Sequence, residues 1–384
     1  MELYVHIPFC VQKCKYCDFL SGNYDVKLRE RYTYALISEI ESFKDRFKDE
    51  TITSVYIGGG TPTYLEVVFM QRILDAIFTN FNISKDAEIS MECNPGTGSL
   101  EAFKIYRHLG VNRLSIGLQS ANDDELELLG RVHDYAKFDQ TYREAQLAGF
   151  DNINVDLMSG LPFQTWNKLS NTLKKVVKLK PQHISLYSLI IEEGTEFYEK
   201  YGEDVKRREK DLDTIALPDL DDEYELLQNA KDYLEEAGYH QYEISNFAKE
   251  GKECKHNIGY WKRVPYLGVG LGAASFIDAH TAIEDNILVP MVRLIENPSY
   301  HTRPAKAALA AEEERGELSE REIEILVSVA QGLLNKEIAD RHNISINTVI
   351  THRKNITRKT GIKTVAGLTV YAILNGYVDI NSVK

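Results

Sequence analysis

Short runs of β-branched and aromatic residues alternate with longer amphipathic stretches through the first 280 residues. Runs at 3–7, 54–57, 88–92, 113–116, 152–157 and 183–189 predict strands. Between them, segments such as 28–47 repeat their apolar positions at helical spacing. Regular alternation of this kind calls for an α/β fold, a parallel sheet with crossover helices that is either open or partly rolled into a barrel. In such sheets the chemistry gathers at the carboxyl ends of the strands. The pattern then changes. Residues 205–248 join an Asp-rich loop to an amphipathic helix predicted over 221–237. Strand character fades from Ala279, and 304–317, Ala-rich and then Glu-rich, has the composition of a linker. From 318 to 376 the periodicity is helical throughout.

Composition narrows the class. A chain of 384 residues has room for two or three domains, and 43% hydrophobic with 27% charged residues is the make-up of a soluble protein. No early segment joins a basic start to a long apolar run, so neither a signal peptide nor a membrane span is predicted. Five cysteines, an odd and sparse set, argue against a secreted disulfide framework and for a reducing cytoplasm, with close cysteines reserved for metal or catalysis. The net charge of −13 argues against nucleic acid until the chain is divided. Residues 319–384 carry nine Lys/Arg against six Asp/Glu, net +3, and the first 318 carry 36 against 52, net −16. Between 341 and 363 there are six basic residues and no acidic one.

Cys10, Cys14 and Cys17 form C-x3-C-x2-C directly after the first predicted strand. Three thiolates on one loop can reach three corners of a metal or cluster site, and soft sulfur favours iron–sulfur or zinc. Spacing alone leaves three free cysteines, or a zinc site completed by His6, as alternatives. The second strand runs into Gly58-Gly59-Gly60-Thr61-Pro62. Bare backbone there lets a ligand lie close, with amides for an anion and carbonyls for an ammonium. Together the cysteine triad and the glycine run resemble the radical S-adenosylmethionine (SAM) superfamily. Further strings follow in order: Tyr4-Val-His6-Ile-Pro8-Phe-Cys10, Glu92-Cys93-Asn94-Pro95, Ser115-Ile-Gly117-Leu-Gln119-Ser120, Leu129-Gly130-Arg131-Val-His133, Asn154-Val-Asp156, and His256-Asn257-Ile-Gly-Tyr260-Trp261. Over residues 1–277 the chain resembles the oxygen-independent coproporphyrinogen III oxidase-like family, most closely its haem-chaperone branch.

That resemblance implies a partial (β/α) barrel of radical SAM type holding a [4Fe-4S] cluster on Cys10, Cys14 and Cys17. It implies SAM contacts at Tyr4, Tyr16, Gly59, Gly60, Thr61, Glu92, Gln119, Arg131 and Asp156. Oxidase members carry a fourth cysteine where this chain has Phe19, a change typical of the chaperone branch. The branch implies haem as cargo and haem-requiring membrane enzymes as recipients. His256, beside Tyr260 and Trp261, is the candidate haem ligand, with Cys254 as the thiolate alternative. No role is assigned to Cys93, and no catalytic residue is named. The enzyme reading, a radical oxidoreductase acting on a porphyrinogen, stays open through the intact triad and the Gln119, Arg131 and Asp156 set.

At the carboxyl end, Ser319 followed by Glu322 has the form of a capping box. A second helix is predicted from Asn335, a third from Ser345 to Gly361 and a fourth over 364–374. Two helices joined by a short turn, the second basic on one face, are what a helix-turn-helix needs. The strings around 318–326, 335–339, 344–352 and 356–361 resemble the LuxR-type (GerE-like) DNA-binding domain. By that resemblance Lys336, Thr348, Arg353 and Lys359 contact DNA and the fourth helix supports a homodimer. The expected organisation is a radical SAM core at 1–205, a haem-chaperone-like extension at 206–278, a linker or truncated family region at 279–317, and an all-α helix-turn-helix module at 318–384. These two resemblances do not ordinarily share a chain. A natural fusion that couples a cluster or haem sensor to transcription, and two joined reading frames, are both consistent with the sequence.

Overall fold

A computed structural model of the chain describes residues 1–210, 212–277 and 318–360, together with Leu368, Tyr371, Ala372, Asn375, Tyr377 and Val378. The predicted linker at 279–317 and most of the predicted fourth helix lie outside the described residues. The described residues divide into two units. The larger unit runs β1 (Glu2–Ile7), α1 (Val26–Ser42), β2 (Thr51–Gly59), α2 (Val67–Asn80), β3 (Asn82–Cys93), α3 (Leu100–His108), β4 (Arg113–Gln119), α4 (Asp123–Leu129) and α5 (Tyr135–Leu147). The chain continues through β5 (Ile153–Ser159), α6 (Trp166–Leu179), β6 (His183–Ser188), α7 (Glu196–Glu209), α8 (Leu220–Glu236), β7 (His240–Glu243), β8 (Asn246–Ala248), α9 (Lys255–Trp261) and β9 (Tyr266–Val269), with residues 203–215 and 219–221 grouped outside the larger unit.

Nine strands form one sheet in the order β7-β8-β6-β5-β4-β3-β2-β1-β9. Strands β1 to β6 are parallel neighbours, β9 adds in parallel to β1, and β8 and β7 add antiparallel beyond β6. The six predicted strands are all present. The short strands β7, β8 and β9 and the helix α9 were not foreseen, since three to seven residues carry too little periodicity to stand out.

The side-chain period of two divides the sheet chemically. Leu3, Val5, Ile7, Ile57, Met91 and Leu114 are buried in one core with Leu36, Met70, Phe103, Phe138 and Leu169 of the helices. Burying each such side chain is worth roughly 1.5–3 kcal/mol. The residues between them, His6, Glu92, Ser115, Asn154 and Asp156, face the other way and carry the polar chemistry. Register aligns them: His6 lies opposite Gly58, Glu92 opposite Ser115, and Ser115 opposite Asn154. The helices begin on side-chain caps, as Asp25 accepts from the Leu28 amide at 2.8 Å and Asp134 from the Lys137 amide at 2.8 Å. Gly130 ends α4 at φ 71°, a left-handed cap that turns Arg131 away from the helix.

In the carboxyl-terminal unit the described helices are α10 (Glu320–Ala330), α11 (Asn335–His342) and α12 (Ile346–Thr360). The Ser319–Glu322 capping box is formed: Ser319 Oγ accepts from the Glu322 amide, and Glu322 Oε2 accepts from the Ser319 amide at 2.7 Å. Ile325, Leu326 and Val329 of α10 share a core with Ile338, Val349 and Ile356. Asn343, at φ 53°, makes the tight turn between α11 and α12.

Candidate cluster and cofactor site

The cysteine loop leaves β1 and is closed at its base by backbone bonds. The Cys10 amide donates to Gly22 O at 2.9 Å and the Gly22 amide to Pro8 O at 3.1 Å. Inside the loop the Cys17 amide donates to Cys14 O at 3.1 Å. Cys10 is buried and Cys14 and Cys17 are half-buried, and all three are free thiols. Burial pushes the Cys17 thiol up from its ordinary value, so a cationic metal centre is what would hold it as thiolate. His6 fastens the far side: its Nε2 bonds Leu20 O at 3.0 Å and its Nδ1 bonds Tyr4 OH at 3.1 Å. Both ring nitrogens are therefore committed, which removes the fourth ligand from the zinc alternative. Among the described residues no three His, Cys, Asp or Glu side chains converge on a single ion. A loop of three soft sulfurs with no fourth protein ligand suits an iron–sulfur cluster that keeps one iron open.

The glycine run lies beside this loop for steric reasons. A Cβ at Gly60 would meet Phe9 O at 2.7 Å and Cys10 Sγ at 3.0 Å, and Gly59 sits at φ +111° with a would-be Cβ 2.6 Å from the His6 ring. Side chains at these two positions would displace the cysteine loop. A Cβ at Gly58 would stand 3.0 Å from the Glu92 carboxyl. Glu92 itself accepts from Tyr56 OH at 3.0 Å and from the Gly59 amide at 3.1 Å. Burial first, and the neighbouring Asp156 second, push its carboxyl up to about 7. A carboxylate held at that edge is stabilised by any arriving ammonium, the group that the methionine end of SAM carries.

The other predicted contacts come from the end of β4 (Gln119), the turn after α4 (Arg131), the middle of β5 (Asp156) and β1 (Tyr4). Gln119 has φ 71° at an irregularity in the β4–β5 register between Gly117 and Gln119, a kink of the kind that re-aims side chains at functional sites. Arg131 donates to Asn94 Oδ1 at 2.6 Å, Gly117 O at 2.8 Å, Tyr16 OH at 3.3 Å and Cys14 Sγ at 3.4 Å. Its Nε is buried and has no partner among the described residues. Asp156 accepts from Asn154 Nδ2 at 2.6 Å and from Ser115 Oγ at 3.1 Å. Tyr4 reaches the loop only through His6, and its ring stacks on Tyr56 at 6.4 Å. Asn94, Tyr56 and Ser115 belong to the same polar surface and were not singled out from the sequence. Asn94 and Ser115 lay within motif strings, whereas Tyr56 was signalled only by its place two residues before Gly58.

The expected haem ligands are buried against β2 and β3. His256 is 1% exposed. Its Nδ1 bonds Ser54 Oγ at 2.8 Å and stands 3.6 Å from Glu2 Oε2, its Nε2 bonds Tyr260 OH at 3.2 Å, and its ring stacks on Tyr56 at 5.3 Å. Burial and the nearby Arg113 charge push the imidazole down to about 3. Cys254 is fully buried, donates to Glu88 Oε1 at 3.2 Å, and is pushed up to about 12 by burial. In this fold both residues are buried, and their donor atoms are engaged by Ser54, Tyr260 and Glu88.

In the helical unit the four expected DNA contacts also separate. Lys336 is exposed, and Thr348 caps α12 together with Ser345 at 2.8 Å. Lys359, however, pairs with the buried Glu322 at 2.7 Å, and Arg353 donates to Asn335 Oδ1 at 2.5 Å. These two long side chains tie α12 to α10 and α11. The exposed cations of α12 are instead Lys354 and Arg358.

Comparison with known proteins agrees with this geometry. The radical SAM superfamily profile matches residues 4–176, and the profile of bacterial regulatory proteins of the luxR family matches residues 316–372. The heme chaperone HemW of Haemophilus influenzae is 39% identical over 278 residues, 71% of this chain and 69% of that protein. The heme chaperone HemW of Bacillus subtilis is 34% identical over 345 residues, 90% of this chain and 87% of that protein. Among solved structures, the coproporphyrinogen III oxidase HemN of Escherichia coli, a radical SAM enzyme, aligns with a TM-score of 0.61 at 28% identity. The alignment covers 72% of this chain and 64% of HemN, so the chain spans just under two thirds of that oxidase. Among the described residues no helix is long and apolar enough to cross a membrane. Radical SAM membership implies a [4Fe-4S] cluster and SAM as cofactors, and the residues fit them: three loop thiols for the cluster, and Gly59, Gly60, Thr61 and Glu92 for the cofactor. The chain belongs to the HemW family of radical SAM proteins and carries a luxR-type helix-turn-helix sequence at its carboxyl end.

Proposed function

We propose that this protein is a cytoplasmic haem chaperone that binds a [4Fe-4S] cluster, SAM and haem, and passes haem to haem-requiring membrane enzymes. One observation carries the reading: Phe19, where the oxidase pattern has a fourth cysteine, is 67% exposed two residues after Cys17. An aromatic face held in solvent beside the cluster loop suits the flat face of a porphyrin, whereas a fourth thiol would suit oxidase chemistry. The named activity of the Haemophilus and Bacillus relatives supports the same reading. Cys10, Cys14 and Cys17 hold the cluster. Gly59, Gly60, Thr61 and Glu92 receive the cofactor's amino-acid end, and Gln119, Arg131 and Asp156 border it. Tyr4 and Tyr16 act through His6 and Arg131. When bound, the cluster supplies one-electron reduction next to SAM.

The test is haem titration of the anaerobically reconstituted full chain, followed by mixing with an apo-haem protein. Saturable uptake and transfer support the chaperone. Release of 5′-deoxyadenosine with a porphyrinogen under strong reduction supports the enzyme reading, which the likeness to HemN favours. The luxR-type match favours an added DNA-binding role for residues 318–384. A salt-dependent shift of duplex DNA by the full chain tests it.

A further inference from the structure

The sulfurs of Cys10 and Cys14 are joined by a continuous line of polar side chains drawn from three separate motifs. Thr61 Oγ1 donates to Cys10 Sγ at 3.4 Å. Asn94 Nδ2 donates to Thr61 Oγ1 at 2.7 Å. Asn94 Oδ1 accepts from Arg131 Nη2 at 2.6 Å, and Arg131 Nη1 donates to Cys14 Sγ at 3.4 Å. Asn94 thus uses both ends of its amide. The donor end occupies the Thr61 oxygen, which leaves the single hydroxyl proton to point at Cys10. The acceptor end, with Gly117 O at 2.8 Å, fixes the plane of the guanidinium against Cys14. Thr61 is 1% exposed, so solvent does not compete for its proton.

We propose that Asn94 is a positioning residue that, through Thr61 and Arg131, directs hydrogen bonds onto two of the three cluster thiolates and thereby raises the cluster's reduction potential. The proposal rests on the cluster reading of Cys10, Cys14 and Cys17. Hydrogen bonds to ligand sulfur, and a nearby positive charge, stabilise the reduced and more negative cluster over the oxidised one. The same line links the cluster to the strand ends that border SAM, since Thr61 follows the glycine run and Asn94 follows Glu92 by two residues. Nothing in this arrangement requires Asn94 to touch either cofactor.

The experiment is a potentiometric titration of the reduced cluster's electron paramagnetic resonance signal in the anaerobically reconstituted full chain. Iron and sulfide are measured first. Thr61→Val keeps the side-chain shape and removes the hydroxyl, Asn94→Ala removes the positioning amide, and Thr61→Ser restores a hydroxyl. The expected result is full iron content with about a tenfold lower ratio of reduced to oxidised cluster at a fixed potential in Thr61→Val and Asn94→Ala. That ratio corresponds to a fall of ~59 mV for a one-electron couple. Thr61→Ser is expected to titrate with the parent. An unchanged midpoint in both variants, with or without loss of iron, overturns the proposal, because a merely structural role would alter cluster content and not potential. A parent chain that takes up no iron defeats the cluster reading before any variant is compared, and the proposal falls with it.

Discussion

Glu92 gives the sharpest quantitative test of the site, because its burial is a cost that the free protein bears and the cofactor relieves. Its carboxyl rises from 4.5 to about 7 in the folded chain. An unfolded chain ionises Glu92 as pH passes 4.5, while the folded chain keeps it protonated until about 7. Folding stability therefore falls across that window and stays reduced above it. At about 1.4 kcal/mol per pH unit the full displacement is about 3 kcal/mol, and partial exposure of the side chain reduces this to ~1–2 kcal/mol. Glu92→Gln removes the ionisation and keeps an oxygen able to accept from Tyr56 OH or the Gly59 amide. Urea unfolding of the cofactor-free full chain is expected to find the variant ~1–2 kcal/mol more stable than the parent at pH 8. At pH 5 most of that gap is expected to close. Affinity for SAM is expected to fall at least about tenfold, the worth of one charge-assisted hydrogen bond. A variant less stable at pH 8, or shifted equally at both pH values, would refute the reasoning.

Other parts of the structure give their own tests. Leu114→Ala, on the fully buried helix-facing side of β4, is expected to cost about 2–5 kcal/mol in thermal or urea unfolding. Gly60→Ala places a methyl 2.7 Å from Phe9 O and 3.0 Å from Cys10 Sγ, so iron uptake on reconstitution is expected to drop severalfold. Gly149→Ala, at φ +93° with open space around it, carries only backbone strain and is expected to cost roughly 1 kcal/mol with iron uptake unchanged. In the helical unit, burial raises and Lys359 more than offsets, so the Glu322 carboxyl sits below its usual range. Lys359→Ala is expected to destabilise that unit by about 2–4 kcal/mol, most strongly above the carboxylate range, whereas Lys354→Ala is expected to weaken DNA binding without lowering the melting transition.

How far the sequence reached can be judged strand by strand. The six long parallel strands declared themselves because one face packs on helices and therefore repeats apolar residues at 3, 5 and 7, or at 114 and 116. The cysteine and glycine motifs were legible because their spacing is short and is fixed by the loop that carries them. What spacing could not give was how the second face of the sheet is assembled. Tyr56 lies within β2, Asn94 just past the end of β3 and Arg131 just past α4, and only the fold, with the register that sets Glu92 opposite Ser115, brings their neighbourhoods together. The surroundings of His256 were hidden for a related reason: the string beside Tyr260 and Trp261 does not reveal that α9 packs the ring against Ser54 and Tyr56. The partners of Lys359 and Arg353 were equally hidden, because the buried Glu322 and Asn335 that they meet lie on other helices, far off in sequence.

The central claim is that the loop of Cys10, Cys14 and Cys17 and the strand of Gly59, Gly60 and Thr61 form one site for a cluster with an open iron and for SAM. Electron paramagnetic resonance of the reduced, anaerobically reconstituted full chain, recorded before and after SAM is added, tests it most directly. The account predicts a [4Fe-4S] signal whose shape changes on addition of SAM and is lost in Cys14→Ala. A chain that takes up no cluster, or whose signal is the same with saturating SAM, would contradict it.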